Sequence, residues 1–130
     1  MIVGIGTDLI EIPRIEAAVT RHGERFALRI LGPGELQRYE QRRAKSERRG
    51  LAFLATRFAA KEAISKALGL GMRMPMTWRS AEVINEASGK PVVLVHGELK
   101  AFVEARGLRL HVSVTDERTL AMAYAVAESD

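Results

Sequence analysis

The 130-residue sequence contains no cysteine, few aromatic residues and no long apolar run. Without cysteine there are neither disulfides nor thiolate metal sites, which fits a reducing compartment. Aromatic residues make up 5% of the chain, so stacking platforms for single-stranded nucleic acid are scarce. No apolar stretch reaches the roughly 18 residues of a membrane span, and the first residues lack the features of a signal peptide. We therefore expect a cytoplasmic protein that does not enter membranes.

The length is that of one domain, residues 1–130, with enough chain to bury a core. The net charge is +4, and much of the basic character lies in residues 35–50. Such a stretch can bind nucleic acid, an anionic ligand or an acidic protein, or it can be a solvated helical face.

The spacing of apolar residues, glycines and prolines predicts an α+β fold. Predicted helices cover about 13–21, 35–43, 47–68 and 98–106. Predicted strands cover 2–8, 82–84, 91–95, 108–115 and 119–127, with a turn at 116–118. Alanines spaced three and four apart on the longest helix would let another element pack closely against it. We expect a mostly antiparallel sheet packed on that long helix.

The long helix carries charged residues that suit a phosphate site. Glu62 and Lys66 are four apart, which on its own indicates an exposed ion pair. Lys61 and Arg57, which are also four apart, precede the same carboxylate, so that cations flank it along the helix. The alternative is that Glu62 holds a hard divalent ion while the cations balance phosphate charge.

Asp8 offers a second carboxylate at the end of the first predicted strand. It could cap the following helix with Glu11 as its partner, although Pro13 favours a later helix start. Gly4 and Gly6 allow the strand to lie close to another backbone or a ligand. A metal site shared by Asp8 and Glu62 is therefore one hypothesis.

Other candidate residues are weaker alone. His111 lies on the polar face of a predicted strand, where a partly exposed histidine is the ordinary case. Gly69 and Gly71 could bring backbone amides to a phosphate or could end the long helix. The sequence contains no Walker P-loop and no nucleophile elbow.

Taken in order, these motifs resemble the holo-acyl-carrier-protein synthases, the small bacterial phosphopantetheinyl transferases. The matching segments are residues 4–12 with 14 and 15, 57–63, 65–67, 69–71, 82–83, 89–91 and 111–113. They cover nearly the whole chain. The resemblance implies transfer of 4′-phosphopantetheine from coenzyme A to a serine of an acyl carrier protein, in fatty acid biosynthesis, with release of adenosine 3′,5′-bisphosphate.

The resemblance also implies roles for individual residues. Asp8 and Glu62 would bind Mg²⁺ at the pyrophosphate of coenzyme A, and Lys66 would stabilise the phosphates or the leaving group. Coenzyme A would further contact Arg57, Lys61, Lys66, Gly69, Gly71, Gly89, Lys90, Pro91 and His111. The family is typically a homotrimer with three sites at its subunit interfaces.

The base and the docking surface follow from the same resemblance. Many family members have histidine where this chain has Asp116, so the base that takes the serine proton is Asp8, Asp116 or a Mg²⁺-bound water. Acyl carrier proteins are acidic, and a basic helix would steer them. The expected docking residues are Arg14, Arg21, Arg25 and Arg29.

Three other functions compete with this interpretation. Residues 38–49 could bind nucleic acid without any metal. The two carboxylates could serve a Mg²⁺-dependent phosphoester hydrolase. The chain could also be a non-catalytic trimer, against which the complete set of Asp8, Glu62 and Lys66 argues.

Overall fold

Five strands and five helices make up the fold in the computed structural model, which describes residues 1–130. The strands are β1 (Ile2–Glu11), β2 (Ala81–Asn85), β3 (Pro91–Val95), β4 (Leu108–Glu117) and β5 (Leu120–Ser129). The helices are α1 (Ile12–His22), α2 (Glu24–Ile30), α3 (Pro33–Lys45), α4 (Glu47–Leu68) and α5 (Gly97–Ala105). The α+β prediction is confirmed.

The strands form two antiparallel sheets, where the sequence suggested one. The larger sheet has the order β1-β5-β4, and β2 pairs with β3 in a separate hairpin. In the larger sheet Ala123 of β5 lies between Asp8 of β1 and Val114 of β4. The central strand β5 therefore separates the two edge strands, which lie roughly 10 Å apart.

Two strands are longer than the sequence indicated. Strand β1 continues to Glu11, and β4 continues through Asp116 to Glu117. The turn predicted at 116–118 is wrong, since only Arg118 and Thr119 connect β4 to β5. A two-residue connection suits antiparallel neighbours because it matches the twist of the strands. Asp116 is thus held in a paired strand.

Helix α4 is the centre of the fold and has the predicted bounds. It begins after Ser46, whose hydroxyl accepts from the Arg49 amide at 3.2 Å. It ends at Gly69, whose φ of 74° is the left-handed conformation that favours glycine. Most of its turns are buried, as expected of a helix covered on several sides. No helix combines the length and the apolarity needed to cross a membrane.

Small residues let α4 lie directly on the larger sheet. The buried alanines of α4 face the buried alanines of β5, which are Ala121, Ala123, Ala125 and Ala127. On β1, a Cβ atom at Gly4 would overlap the carbonyl oxygen of Ala67, and one at Gly6 would overlap that of Ala63. The strand that carries Asp8 therefore rests on the backbone of the helix that carries Glu62.

The opposite face of the larger sheet is apolar and open. Its exposed side chains are 40% to 57% accessible and comprise Ile5, Leu9, Leu120, Met122 and Tyr124. They come from adjacent strands, with Leu9 directly opposite Met122. A contiguous apolar patch of this kind marks an interaction surface.

Candidate active site

The structure brings Asp8, Glu62 and Lys66 together, and we call these three residues the carboxylate cluster. The Lys66 ammonium donates to Asp8 Oδ1 at 3.3 Å and to the Thr7 carbonyl at 2.9 Å. Glu62 lies one helical turn before Lys66 on α4. The Asp8 side chain is 20% exposed and that of Lys66 is 52% exposed, so the cluster is open to a ligand.

The electrostatics of the cluster favour a bound cation. Burial raises the pKa of Glu62, the neighbouring Asp8 carboxylate raises it further, and Lys66 lowers it. A carboxylate whose ionisation is disfavoured by a neighbouring carboxylate is stabilised by a divalent ion between the two. The structure has no group of three or more histidine, aspartate or glutamate side chains that could hold a metal. A two-carboxylate set fits Mg²⁺, which keeps waters and takes phosphate oxygens as its other ligands.

Asp8 does not cap a helix. It lies within β1, and the residue preceding α1 is Glu11, which makes no side-chain capping bond. The local structural role that the sequence offered for Asp8 is therefore absent, and its carboxylate faces the cluster.

Lys61 is not placed where the sequence predicted. Its side chain is fully buried, and its ammonium donates to Glu35 Oε1 at 2.6 Å and to the carbonyls of Ile30 and Trp78 at 2.7 Å each. These three acceptors use all three of its N–H bonds. The prediction that Lys61 contacts coenzyme A is therefore corrected, because its ammonium group is enclosed within the protomer.

A second basic site, which we call the arginine cleft, lies farther toward the start of α4. It has a volume of about 320 Å³ and is lined by Arg42, Arg49, Ala52, Phe53, Thr56, Arg57, Asn85, Val114 and Asp116. Arg42 and Arg57 lie over the Phe53 ring at 5.4 and 4.1 Å from its centroid. The side chains of Arg49, Phe53 and Arg57 recur one turn apart, which places them on one side of α4.

Arg57 is rigidly oriented in the arginine cleft. Its Nε donates to the Val83 carbonyl and its Nη2 to Asn85 Oδ1, both at 3.1 Å. Burial lowers the pKa of Arg57 to about 10, an effect that Glu35 opposes and Arg42 reinforces. Neither Arg42, Arg49 nor Arg57 forms a salt bridge with a carboxylate within 4.0 Å. Closely spaced guanidinium groups without carboxylate partners suit a phosphate ligand.

The tip of the β2–β3 hairpin lies next to the arginine cleft. Asn85 lines the cleft and pairs with Pro91 across the hairpin. Gly89 and Lys90 precede Pro91 and are exposed. The hairpin thus places the predicted residues Gly89, Lys90 and Pro91 beside the cleft entrance.

Asp116 belongs to the arginine cleft and not to the carboxylate cluster. It is on β4, whereas Asp8 is on β1, and β5 lies between them. Within one protomer, Asp116 and Asp8 are thus on opposite edges of the larger sheet.

The glycines after α4 cap the helix. The amide of Gly69 donates to the Lys66 carbonyl at 3.0 Å, and that of Gly71 to the Ser65 carbonyl at 3.5 Å. These amides close the last turn of α4, and because both glycines are exposed, the contact of their backbone with a nucleotide stays a prediction. The helix-cap alternative accounts for both positions.

His111 lies on the outer face of β4, away from the arginine cleft. Its Nε2 is 3.0 Å from Glu128 Oε1, and Arg109 is 3.3 Å from the same carboxylate oxygen. These contacts lower the pKa of Glu128, with the His111 hydrogen bond as the largest cause. Within one protomer, His111 joins neither the cluster nor the cleft.

The predicted docking residues lie on two consecutive helices. Arg14 and Arg21 are on α1, and Arg25 and Arg29 are on α2, which resumes helical structure after Gly23. All four side chains are exposed, and none forms a salt bridge. We call these four residues the basic surface. Unpaired exposed arginines suit an acidic partner.

The sequence did not identify Arg42 and Arg49 as residues of a site, or Glu35 as a buried residue of the core. Arg42 and Arg49 were part of a general basic stretch, although the four-residue spacing of Arg49, Phe53 and Arg57 already places them together. Glu35 was expected on a polar helix. Its position three residues after Gly32 is typical of a capping glutamate, and it does accept from the Gly32 amide at 2.9 Å. Its full burial beside Lys61 had no signal in the sequence.

Comparison with known proteins supplies a family. A sequence model of the 4′-phosphopantetheinyl transferase superfamily matches residues 4–125. A holo-[acyl-carrier-protein] synthase from Cupriavidus taiwanensis is 59% identical over 128 residues, covering 98% of this chain and 91% of that protein.

Solved structures share the fold over nearly the full length. The holo-[acyl-carrier-protein] synthase of Neisseria meningitidis superposes with a TM-score of 0.91 at 38% identity, covering 99% of this chain and 100% of that one. The holo-(acyl-carrier-protein) synthase of Bacillus anthracis, solved in complex with CoA (3′,5′-ADP), superposes with a TM-score of 0.83 at 35% identity. That match covers 100% of this chain and 99% of the other.

Proposed function

The chain belongs to the 4′-phosphopantetheinyl transferase superfamily, and we propose that it transfers 4′-phosphopantetheine from coenzyme A to a serine hydroxyl of an apo-acyl carrier protein. The products are holo-acyl carrier protein, for fatty acid biosynthesis, and adenosine 3′,5′-bisphosphate. The observation that carries this proposal is the carboxylate cluster, in which Lys66 contacts Asp8 while Asp8 raises the pKa of Glu62. Residues 1–130 act as a single transferase domain around one buried core.

Mg²⁺ is the cofactor that fits the carboxylate cluster. Asp8 and Glu62 would hold the Mg²⁺ ion, whose remaining ligands would be water and phosphate oxygens. When bound, Mg²⁺ neutralises the charge of the pyrophosphate as the phosphorus–oxygen bond breaks. Rates of transfer measured with Mg²⁺ and with Mn²⁺ would show which of the two ions the cluster prefers.

The residues of the chain supply charge and orientation to the phosphoryl transfer. The serine oxygen forms a bond to the phosphorus that bears the pantetheine arm, and the bond from that phosphorus to the bridging pyrophosphate oxygen breaks. Lys66, half-exposed and held by the Thr7 carbonyl, places its ammonium where it stabilises the departing phosphate. The serine proton passes to Asp8 or to a water that the cluster holds. Asp116 lies on the far edge of the sheet within the same protomer, so it would act as the base only at a site shared by two protomers.

The arginine cleft takes the nucleotide end of coenzyme A. The guanidinium groups of Arg42 and Arg57 are oriented by Phe53, Val83 and Asn85, so these two are placed before a ligand arrives. Preorganised arginines bind phosphate in a fixed geometry at low entropic cost. His111 and the hairpin tip of Gly89, Lys90 and Pro91 remain proposed coenzyme A contacts.

A homotrimer would join the two sites. The carboxylate cluster lies toward the β1 edge of the larger sheet and the arginine cleft toward the β4 edge. A ring that sets the β4 edge of one protomer beside the β1 edge of the next brings a cluster and a cleft together at each interface. The open apolar face of the sheet, with Leu9, Met122 and Tyr124, supports burial against other copies.

The basic surface on α1 and α2 receives the acyl carrier protein. Its four arginines offer an exposed positive field to an acidic partner, which speeds encounter and sets orientation. An Arg14→Ala variant should raise the carrier KM and weaken its dependence on salt concentration. A carrier KM that is unchanged across salt concentrations would remove Arg14 from the docking surface.

Mass spectrometry of an apo-acyl carrier protein tests the reaction directly. Incubation with the enzyme, coenzyme A and Mg²⁺ should add the mass of one phosphopantetheine arm to the carrier. The gain should disappear with EDTA and with Glu62→Gln. Consumption of coenzyme A without a gain in carrier mass would instead indicate a phosphoester hydrolase, and no reaction with any divalent metal would refute the proposal. The cytoplasmic location stays a prediction.

A further inference from the structure

The buried Glu35–Lys61 pair is an unusually complete polar network. Glu35 Oε1 accepts from Lys61 and from the Gly32 amide, while Oε2 accepts from the Val83 amide at 2.7 Å. Lys61 also donates to the Ile30 and Trp78 carbonyls. Both side chains have 0% exposure. A buried network is favourable only when its members are satisfied, and this one is fully satisfied.

The network holds the junction between α2 and α3. Three consecutive residues of that junction each have a backbone group bound by a side chain. Lys61 binds the Ile30 carbonyl, and Glu35 binds the Gly32 amide. Arg79 binds the Leu31 carbonyl between them at 3.0 Å. The end of α2 is thus fixed to α4 and to the segment that precedes β2 through directional bonds, which specify a position more narrowly than apolar packing does.

Helix α2 is short and depends on such attachments. It has seven residues and carries Arg25 and Arg29 of the basic surface. At its start, Phe26 stacks on Phe58 of α4 at 6.2 Å, and Phe58 stacks on Trp78 at 4.7 Å. A helix of this length is not stable by itself, so its orientation comes from these contacts. The Glu35–Lys61 pair fixes the end of α2 that lies next to Arg29.

We propose that Glu35 and Lys61 are positioning residues for the protein substrate: they hold the docking arginines of α2 in a fixed relation to Glu62 on α4. This inference rests on the proposed transfer to a carrier protein. Lys61 and Glu62 are adjacent on the same helix, so one element carries both the anchor of the docking helix and a catalytic carboxylate. The arginines of α2 must meet the acidic surface of a carrier whose serine lies at the carboxylate cluster, and a shift of α2 would weaken those contacts.

A purely structural role would predict something different. If the pair only stabilised the fold, its removal would lower the melting temperature while the folded enzyme kept its kinetic constants. A positioning role raises the carrier KM in the folded enzyme by a larger factor than the coenzyme A KM. Val103→Ala is a matched control, because Val103 is a buried residue of α5 outside the network.

The experiment compares Glu35→Gln, Arg79→Met and Val103→Ala with the wild-type enzyme at temperatures where each is folded. Glu35→Gln should raise the carrier KM at least about threefold, with kcat within about twofold of wild type. The coenzyme A KM should change less than the carrier KM, although Glu35 also binds the Val83 amide and the Val83 carbonyl orients Arg57. Arg79→Met removes the bond to the Leu31 carbonyl from a partly exposed side chain, so the carrier KM should rise by a smaller factor. This variant keeps the test decisive if Glu35→Gln does not fold. Val103→Ala should lower the melting temperature without changing the carrier KM.

A double variant gives the sharper readout. Arg29→Ala should raise the carrier KM in the wild-type background and add less in the Glu35→Gln background, because the two changes act on one docking element. Additive effects, or an unchanged carrier KM in both junction variants, would overturn this inference alone. Failure of the wild-type enzyme to modify any carrier would overturn the proposed function and this inference with it.

Discussion

Helix α4 carries two lysines little more than one turn apart, each beside a carboxylate, in opposite environments. Lys61 meets Glu35 inside the protein, where every donor and acceptor has a partner. Lys66 meets Asp8 at an open site, where Glu62 lies nearby without a hydrogen-bonded cation of its own. The comparison indicates that a charged pair is available for chemistry when some of its hydrogen-bond donors or acceptors have no partner within the protein. We call the Glu35–Lys61 pair the closed pair, since all its bonds are made and it stabilises the fold. We call the site of Asp8, Glu62 and Lys66 the open site, since its unused bonding groups suit the proposed metal ion and phosphate.

The largest effect should come from breaking the closed pair. Lys61→Met leaves the Glu35 carboxylate buried without its cation, and we expect a loss of about 3–5 kcal/mol in the free energy of unfolding. The matched change Lys66→Met on the same helix should leave stability within about 0.5 kcal/mol while it impairs transfer. Denaturant unfolding measures the first quantity and carrier modification the second. Equal loss of stability in the two variants would remove the distinction between the lysines.

The next effect concerns the open site. Glu62→Gln removes a proposed metal ligand, and we expect a fall in kcat of about 10²–10³, or roughly 3–4 kcal/mol in the barrier. The neutral control is Glu104→Gln, an exposed residue of α5 without an ion pair. Rates of carrier modification at saturating coenzyme A provide the measurement. Retention of more than half of the wild-type rate by Glu62→Gln would show that the cluster is not the reaction centre.

A smaller effect separates the carboxylate cluster from the arginine cleft. Arg49→Ala removes one of three guanidinium groups, so we expect the coenzyme A KM to rise about tenfold, equivalent to roughly 1.4 kcal/mol, with little change in kcat. Arg48→Ala, an exposed neighbour that does not line the cleft, is the control. Initial rates at varied coenzyme A concentration separate the two constants. If both variants behave alike, the effect is one of net charge and not of the cleft.

The smallest expected effect is a dependence of the free energy of unfolding on pH, caused by Glu62 in the open site. Because the pKa of Glu62 is raised, the metal-free folded protein holds a proton that the unfolded chain has already released at the same pH. The free energy of unfolding should therefore fall as the pH rises from the ordinary glutamate range through the raised pKa. Glu62→Gln should lack this loss, and Mg²⁺ should reverse it in the wild type. Thermal unfolding in EDTA at several pH values tests this, and a constant difference between the two proteins would contradict it.

Much of the open site could be predicted from the sequence, but the buried Glu35–Lys61 pair could not. The bounds of α4 and the hairpin follow from local spacing, and the pairing of Asp8 with Glu62 is what the resemblance to the family implies. The burial of Lys61 depends on Glu35, which lies in another helix, and no local pattern connects the two residues. Lys61 and Lys66 have the same intrinsic chemistry, so the sequence assigned both to phosphate binding. The split into two sheets likewise depends on long-range pairing that alternation along single strands does not encode.

The contact between Gly4, Gly6 and the carbonyl oxygens of α4 has a consequence for which ions the open site can accept. No side chain separates β1 from α4 at these two positions, so the spacing between them is set by the radii of main-chain atoms. Rotamer changes adjust the tips of Asp8 and Glu62, but they do not widen the gap between the two backbones. The separation of the two carboxylates in the proposed metal site is therefore limited by the main chain, and a change of preferred ion would require side chains of different length at positions 8 and 62.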